Sequence, residues 1–345
     1  MELIGNIDTI VQTNIAQKAA EKAGRALPHM IYTGAAGCGK TSMARYLSRM
    51  TGYELISVAC DALKCRLDVA LLAKKFSRKG YDRDHGNILN SKLIQPTLVF
   101  IDEIHNLSLA AQEHLGILME EWSLSVTPRE ARLLKARVGK DTLYWVPQFT
   151  LIGATTNDGK LSKPFRDRFK MRFVFTPYSL EESVQIVFLH AKRLKVEIDE
   201  EGALEIAKRG RGVPRVLVSL LERCRDSAIA INQESITKEL ALVAFFKLKI
   251  DPSGLTESDV TLLRTLHKIG DPVGLDNLAT ILNESPKVLS ETIEPYLIQR
   301  GLMLRASKGR SITEEGCKYL AERGYIEKES GYDRVTISKD FDRGF

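Results

Sequence analysis

The 345-residue sequence has no long apolar run, since no segment approaches about 18 uninterrupted apolar residues. Its acidic N-terminus also has no basic stretch followed by an apolar one, so we predict neither a membrane span nor a signal peptide. Cysteine is scarce, with five residues scattered along the chain and no CxxC pair. This usage argues against a zinc site and for free thiols in a reducing cytoplasm.

The chain also has no internal repeats and no low-complexity tract. It is 44% hydrophobic and 27% charged, as ordinary globular proteins are, and it is long enough for two or three domains. The net charge of +6 is uneven, because residues 251–345 hold 13 basic and 16 acidic residues. Basic residues cluster at 74–83, 129–140 and 300–310. Each cluster is either a binding surface or a solvated loop.

Apolar runs alternate with helical patterns through the first half of the chain. Helices are predicted near 40–50, 67–78 and 108–121, and strands at Met30–Thr33, Glu54–Val58, Leu98–Ile101 and Phe149–Gly153. This alternation predicts an α/β fold with a parallel sheet and helices on both faces. Residues 180–246 read as purely helical, and Pro and Gly at 249–255 indicate a domain boundary. Three short helical patterns, a hairpin at Leu302–Ile312, another helix and a polar tail after Tyr325 follow.

The stretch "GAAGCGKT" fits the P-loop pattern G-x-x-x-x-G-K-[ST] and lies between a predicted strand and a predicted helix. Its glycines, Gly34 and Gly39, let backbone N–H groups approach a polyphosphate, and the helix N-terminus adds partial positive charge. Lys40 is expected to reach the β- and γ-phosphates, and the Thr41 hydroxyl to ligate Mg²⁺. The alternative is a plain glycine-rich turn. The context predicts a nucleoside triphosphate site.

The stretch "TLVFIDEIHNL" is an apolar strand that ends in two carboxylates. Asp102 is placed to hold the Mg²⁺ shell, and Glu103 to orient and polarise the attacking water. An apolar strand that ends in Asp-Glu is a weak signal alone, because carboxylates often cap strands. Some sixty residues after a P-loop, the pair predicts ATP hydrolysis.

The stretch "FTLIGATTNDGKLSKPFRDRF" contains another buried strand that ends in small polar residues. A hydroxyl there is suited to sensing the γ-phosphate. Arg166 and Arg168 follow on a short helical turn, and an arginine can bridge phosphate oxygens in the transition state. Alternatively, the two are surface arginines that bond to Asp167.

The order "GAAGCGKT", "FIDEIHNL", "GATTN", "KPFRDRF", "RGRGVPR" resembles the AAA+ ATPases. More narrowly, "FTLIGATT", "PFRDRF" and "DPVGLDNLA…IEPYLIQRGLMLRASKGR" resemble the RuvB family of bacterial Holliday-junction branch-migration motors. The resemblance implies ATP and Mg²⁺ as cofactors. It implies a large ATPase domain at 1–178, a helical lid at 179–250 and a winged helix at 251–323, and residues 324–345 are left as a C-terminal tail.

The resemblance assigns further roles. Thr156 matches a sensor threonine, Arg168 an arginine finger that reaches the neighbouring subunit's nucleotide, and Arg215 a second sensor at a lid-helix start. A finger in trans requires a ring contact, and the family assembles as homo-hexamers on duplex DNA. The implied nucleotide contacts are Ile4, Gly37, Gly39, Lys40, Thr41, Ser42, Arg166 and Arg215. The implied DNA contacts on the wing are Arg305, Lys308 and Arg310, which otherwise form a charged hairpin tip.

Several segments depart from the family. The usual N-terminal segment that covers the adenine is largely missing, and the basic segment at 79–95 is longer than its counterpart. Residues 121–147 occupy the place of the hairpin that docks on RuvA, the junction-binding partner, yet do not follow its pattern. We expect a protruding hairpin there that binds a RuvA-like protein or a different partner. The tail after Tyr325 has no counterpart.

The sequence therefore predicts an ATP-driven duplex-DNA translocase that acts on branched DNA in recombination or replication-fork repair. The alternative is an AAA+ loader or switch, similar to a clamp loader, that places a partner on DNA. A remodeller that threads polypeptide is disfavoured, because no convincing aromatic pore loop is present. Translocase and loader share the ATPase core, so only the winged helix favours the motor.

Overall fold

The structure is a computed structural model that describes residues 3–81, 94–135 and 143–326. Its contacts divide the chain into two compact units. Unit 1 contains Met1–Ile198 and Gly212–Arg223, and unit 2 contains Asp199–Arg211 and Cys224–Phe345. Within the described ranges, no helix is long and apolar enough to cross a membrane. The domain limits near residues 178, 250 and 323 stay predictions.

Unit 1 is built on a five-stranded parallel sheet, which confirms the predicted α/β class. The strand order is β2-β3-β6-β1-β7, and β4 and β5 form a separate antiparallel pair. In chain order the strands are β1 (Met30–Gly34), β2 (Leu55–Val58), β3 (Thr97–Ile101), β4 (Ser123–Ser125), β5 (Leu143–Trp145), β6 (Phe149–Thr155) and β7 (Met171–Phe175).

Helices cover both faces of this sheet, as alternate side chains of each strand show. Ile31 and Val99 belong to one buried cluster, and their neighbours Tyr32 and Leu98 belong to the other. Successive strand residues point to opposite faces, so two cores follow. The helices of unit 1 are α1 (Ile7–Ala23), α2 (Lys40–Thr51), α3 (Arg66–Ala73), α4 (Leu109–Glu121), α5 (Pro128–Leu134), α6 (Lys163–Asp167) and α7 (Leu180–Leu194).

Unit 2 is mainly helical and ends in a β hairpin flanked by helices. In the chain, helix α8 (Glu200–Arg209) and helix α9 (Pro214–Ala230) lie between two short strands, β8 (Glu197–Ile198), which belongs to unit 1, and β9 (Ser235–Ile236). Helix α9 begins in unit 1 and ends in unit 2. The later helices are α10 (Lys238–Lys247), α11 (Glu257–Ile269), α12 (Leu275–Leu282), α13 (Pro286–Val288), α14 (Glu294–Gln299) and α15 (Glu314–Glu322), with a π-helical turn at Leu289–Ile293. A core that includes Leu262, Leu297 and Leu320 lies under them.

The predicted hairpin at Leu302–Ile312 is present as β10 (Met303–Ala306) and β11 (Gly309–Ile312). Its turn consists of Ser307 and Lys308. The sequence predicts a Lys-Gly-Arg tip at residues 308–310, but of these three residues only Lys308 lies in the turn. Gly309 is instead the first residue of β11, where its backbone lies against that of Val273, and Val273 bridges to Arg310 as a third short strand.

The segment at 121–147 contains more than the predicted hairpin. Its base is the antiparallel pair of β4 and β5, with Ser123 opposite Trp145. Helix α5 follows β4 and buries Ala131 and Leu134 in the core. Residues 136–142, most of the basic segment at 79–95 and the tail from residue 327 lie outside the described residues.

Candidate active site

The predicted P-loop connects β1 to α2 and has the backbone that phosphate binding requires. Gly37 and Gly39 adopt φ values of 83° and 96°, which side chains with a Cβ rarely adopt. A Cβ added to Gly37 would also lie 2.9 Å from Cβ of Arg215. The glycines therefore permit a sharp turn and a close approach of the loop to the start of α9.

Lys40 is the first residue of α2 and is buried. Its Nζ donates hydrogen bonds to the carbonyl oxygens of Gly34, at 2.7 Å, and Ala35, at 2.9 Å. Burial lowers the pKa of this ammonium, an effect that nearby Glu103 opposes and nearby Arg215 reinforces. The lysine is thus a cation held on neutral acceptors, with charge available for an anion.

A cavity of about 660 Å³ lies in front of the loop, within unit 1. This volume suits a nucleotide-sized ligand. Predicted and unpredicted groups line it together: Ala36, Gly37, Gly39, Lys40, Thr41, Ser42, Asp102, Glu103, His190, Pro214, Arg215, Val218, Ser219 and Glu222. The structure thus brings the P-loop, both strand-end carboxylates and Arg215 to one place.

The two carboxylates follow β3 directly. One oxygen of Asp102 accepts the backbone N–H of Glu103 at 3.1 Å, and its side chain is exposed. Because Asp102 and Thr41 line the same cavity, oxygen ligands are present on two of its sides. The described residues contain no cluster of three or more His, Cys, Asp or Glu that could hold a metal by itself. Mg²⁺ at nucleotide sites is commonly bound through one or two protein oxygens together with substrate phosphates.

Glu103 is held in a defined orientation. It adopts φ 47°, and its Oε2 accepts hydrogen bonds from the backbone N–H of Thr156, at 3.3 Å, and from the Thr156 hydroxyl, at 3.1 Å. The Nδ1 of His105 lies 3.1 Å from the same oxygen and 2.8 Å from the Thr155 hydroxyl. Thr156, predicted to sense phosphate, contacts the carboxylate in this structure, and its role as a sensor stays a prediction. His105 is an unpredicted neighbour.

Arg215 is exposed at the start of α9, and its helix contributes a whole face to the cavity. Val218, Ser219 and Glu222 follow at spacings of three, four and seven residues, so they share that face. These three residues were not among the predicted site residues, although their helical spacing from Arg215 identifies them. His190 of α7 also lines the cavity. Burial lowers its pKa, with Arg193 acting in the same direction and Glu222 opposing.

Arg168 lies away from this cavity, across helix α4. Its guanidinium pairs with Glu120 at 2.9 Å and donates to the carbonyl oxygen of Pro164 at 2.6 Å. A Cβ added to Gly116 would lie 3.2 Å from its Nε, so the side chain rests on α4 where glycine leaves room. The alternative prediction, a bond to Asp167, is wrong for Arg168. Asp167 instead pairs with Arg172 at 3.6 Å.

The remaining predicted contacts, Ile4 and Arg166, are half-buried, and neither is among the residues that line the cavity. Ile4 lies between Leu3, which packs on the core beside Val213, and Gly5, whose backbone approaches the ring of Tyr178. In this subunit the two residues lie outside the cavity in front of the P-loop.

The predicted DNA contacts lie on the hairpin of unit 2. Arg305 and Arg310 face each other across β10 and β11, and both pair with Glu294, whose side chain is 0% exposed. Arg310 is 13% exposed and Arg305 45% exposed. Lys308 is exposed in the turn. The alternative prediction was a charged hairpin tip. It describes Arg310 poorly, because the guanidinium of Arg310 forms a largely buried ion pair.

Three family models together match this chain from residue 1 to residue 321, with a gap at 175–177. The family of RuvB P-loop domains, described as those of the Holliday junction DNA helicase, matches residues 1–174. The RuvB AAA lid domain matches residues 178–251, and the RuvB C-terminal winged helix domain matches residues 252–321.

Individual relatives match at similar length. The Holliday junction branch migration complex subunit RuvB of Ehrlichia ruminantium is 33% identical over 94% of this chain and 91% of its own. The same subunit of Bdellovibrio bacteriovorus is 35% identical over 90% and 88%. The structure of the Thermotoga maritima RuvB Holliday junction branch migration motor superposes with a TM-score of 0.75 and 31% identity, over 92% of this chain and 95% of that one. The chain belongs to the RuvB family.

Proposed function

We propose that the protein hydrolyses ATP in the cavity of unit 1 and uses that free energy to move duplex DNA through branched junctions. One observation carries the proposal: the P-loop, Asp102, Glu103 and Arg215 line one nucleotide-sized cavity. Relatives of similar length are named as subunits of the Holliday junction branch migration complex. The predicted cytoplasmic location stays a prediction.

In this proposal Lys40 binds the β- and γ-phosphates, and the backbone N–H groups of Gly37, Gly39 and Ser42 surround the polyphosphate. The hydrogen bonds of Lys40 to carbonyl oxygens support this role, because they hold the ammonium without neutralising it. Thr41 and Asp102 would hold Mg²⁺. When bound, the ion neutralises charge on the phosphate oxygens.

Glu103 would accept a proton from the attacking water, or orient that water, beside the γ-phosphate. Its contacts with Thr156 and His105 support this role, because they fix the carboxylate before the nucleotide arrives. We propose that Thr156 acts as a sensor through this contact. A change at the γ-phosphate would then alter the hydrogen bond that orients Glu103.

Arg168 would act on the nucleotide of a neighbouring subunit in a homo-hexameric ring, with Arg166 assisting. Its position away from the cavity of its own subunit supports action in trans. A head-to-tail contact that closes into a ring would supply one such arginine to every site. Arg215 would contact the γ-phosphate within the subunit, and Ile4 would contact the base.

The hairpin of unit 2 would contact the DNA backbone, with little sequence preference. The observed exposures support Lys308 and Arg305 as the contacting cations and assign Arg310 mainly to the ion pair with Glu294. The segment at 121–147 would bind a RuvA-like partner. Leu133 and Trp145 support this role, because they expose 55% and 36% of their surface.

The test is strand exchange in a synthetic four-way DNA junction, with and without ATP and with and without a junction-binding partner. We expect ATP-dependent conversion of the junction to duplex products, and none from a Lys40→Ala variant. ATP-dependent assembly on DNA without strand exchange would contradict the proposal and favour a loader.

A further inference from the structure

The motif "RGRGVPR" contains two arginines that the nucleotide site does not use, Arg209 and Arg211. The boundary between the two units passes through this motif, between Arg211 and Gly212. Gly212 accepts a hydrogen bond from the backbone N–H of Tyr178 at 2.8 Å, within unit 1. Three residues later Arg215 lines the nucleotide cavity. The chain thus reaches the cavity directly after leaving unit 2.

Arg211 is anchored by three kinds of contact within unit 2. Its guanidinium forms an ion pair with Asp259 of α11, whose side chain is 2% exposed. Its Nε donates to the carbonyl oxygen of Gly254 at 2.9 Å. The same guanidinium lies 4.4 Å from the centre of the Tyr296 ring. A planar guanidinium that forms an ion pair, donates a hydrogen bond and stacks on a ring at the same time is held in one position and one orientation. A lysine ammonium cannot make this combination of contacts.

The residues that Arg211 contacts belong to the segment that matches the RuvB winged helix domain, which begins at residue 252. The segment before α11 is itself held firmly. Asp251 accepts the N–H groups of Ser253, at 2.8 Å, and Leu255, at 2.9 Å, and the hydroxyl of Tyr296 donates to the carbonyl oxygen of Ser253 at 2.7 Å. A connection between domains is usually solvated and mobile, whereas this one is hydrogen-bonded on several sides.

Arg209 strengthens the same junction from the lid side. It is buried, pairs with Glu205 and lies 4.7 Å from the centre of the Phe245 ring. Its carbonyl oxygen packs on Gly254, where an added Cβ would lie at 2.6 Å. The last turn of α8 and the start of the winged-helix match are therefore in direct contact.

We propose that Arg211 is the coupling residue of this chain: it clamps the winged helix to the lid segment that follows α8. A displacement of Arg215 on nucleotide binding or hydrolysis then moves the DNA-binding domain. Pro214, whose ring fixes its φ angle, lies between Arg211 and Arg215 in the chain, directly before Arg215. This inference rests on the proposed function, because it assigns the path by which hydrolysis drives DNA movement.

The test compares Arg211→Met with the control Lys249→Met in the full chain. Lys249 and Glu257 form another ion pair in unit 2, at 2.9 Å, but both side chains are about two-thirds exposed. An exposed pair of this kind contributes little, whereas the loss of Arg211 leaves Asp259 buried and unpaired. Three quantities are measured: ATP turnover without DNA, its stimulation by duplex DNA, and hydrogen–deuterium exchange with and without a non-hydrolysable ATP analogue.

We expect Arg211→Met to keep DNA-free turnover and the analogue-dependent protection of the P-loop within about two-fold of the parent, because the cavity is untouched. The stimulation by DNA should fall at least about five-fold, and the analogue-dependent change in exchange at residues 252–321 should vanish. Lys249→Met should behave as the parent does. Persistence of that exchange change in Arg211→Met, its absence in the parent, or equal losses in Lys249→Met would overturn the clamp.

If Arg211→Met does not fold, Arg211→Lys is measured in the same assays. It keeps a charge beside Asp259 but cannot stack and donate as the guanidinium does, so we expect the same uncoupling. Parental behaviour of Arg211→Lys in a chain that requires Arg211 to fold would overturn the proposal. If DNA stimulates no turnover in the parent, the proposed function fails. The exchange measurement needs only protein and nucleotide, and it still decides whether Arg211 couples the two sites.

Discussion

The cavity of unit 1 and the winged-helix part of unit 2 both contain cations, but these cations have different partners. Lys40 hydrogen-bonds to neutral carbonyl oxygens, and Arg215 is exposed at the cavity. In unit 2, by contrast, Arg211 pairs with Asp259, and Arg310 shares the buried Glu294 with Arg305. The cations that line the cavity of unit 1 keep their charge for a ligand, whereas these arginines of unit 2 form ion pairs with carboxylates of their own unit. The role of a basic side chain in this protein thus depends on whether it contacts a carboxylate.

The largest effect should follow the loss of Lys40, because its charge is the one held on neutral acceptors inside the cavity. We expect Lys40→Ala to lower ATP turnover about a thousand-fold. Folding should be preserved, as measured by circular dichroism during heating. The matched control is Arg49→Ala, an exposed cation on the same helix, which should retain parental turnover. Similar turnover in Lys40→Ala and the parent would remove the distinction between the two units.

Glu103→Gln should lower turnover about a hundred-fold or more while leaving nucleotide affinity within a few-fold of the parent, because only water activation is lost. Glutamine keeps an oxygen that can accept from Thr156, so its orientation is maintained. Turnover and the dissociation constant of a fluorescent ATP analogue are measured on the same preparation. If turnover is unchanged, Glu103 is not the catalytic carboxylate.

The opposite behaviour is expected of Arg310, whose removal leaves Glu294 buried and partly unpaired. Arg310→Ala should destabilise unit 2, but by less than the about 3–5 kcal/mol that a fully unpaired buried charge costs, because Arg305 still pairs with Glu294. The chain has two tryptophans, Trp122 and Trp145, and both lie in unit 1. Tryptophan fluorescence on heating therefore follows unit 1 alone, and circular dichroism follows both units. Only the dichroism transition should move, and the more exposed Arg305→Ala should move it less.

A smaller and different effect is expected of Lys308, the exposed cation in the hairpin turn. Each lost phosphate contact lowers the slope of log affinity against log salt by about one unit. Lys308→Ala should show this change in a salt titration of duplex affinity, with unfolding unaltered. Lys318→Ala is the control, since Lys318 is paired with Glu314 at 3.0 Å. An unchanged slope in Lys308→Ala would move the DNA contact to the basic clusters at 74–83 or 129–140.

The sequence predicted the parts of the fold in which burial and chemistry agree. Strands β3 and β6 are buried along their whole length, β1 is buried over its first three residues, and each was predicted within two residues. Helix α1 was missed because its pattern is inverted: Thr9 and Thr13 are buried, while Ile7 and Ile15 are exposed. Periodicity of apolar residues could not predict such a helix.

The candidate site was predictable to a similar degree. The residues of the P-loop and of the strand end can be identified from their local spacing, so the sequence correctly predicted that they lie at one site. The contact between Thr156 and Glu103 joins residues 53 positions apart. The ion pairs of Arg305 and Arg310, on the two hairpin strands, depend on Glu294 of helix α14. Such partners follow from packing rather than from any local pattern.

The central claim is that the cations of the unit 1 cavity hydrolyse ATP together with an arginine of the neighbouring subunit in a ring. Its most direct test is turnover in a mixture of two inactive variants. Lys40→Ala lacks a working P-loop, and Arg168→Ala lacks the finger. In shared rings formed from equal amounts, about a quarter of the interfaces combine an intact P-loop with an intact finger, so turnover should recover to about that fraction of the parent. No recovery, in a mixture shown by native mass spectrometry to form shared rings, would contradict action in trans and leave Arg168 with a structural role on α4.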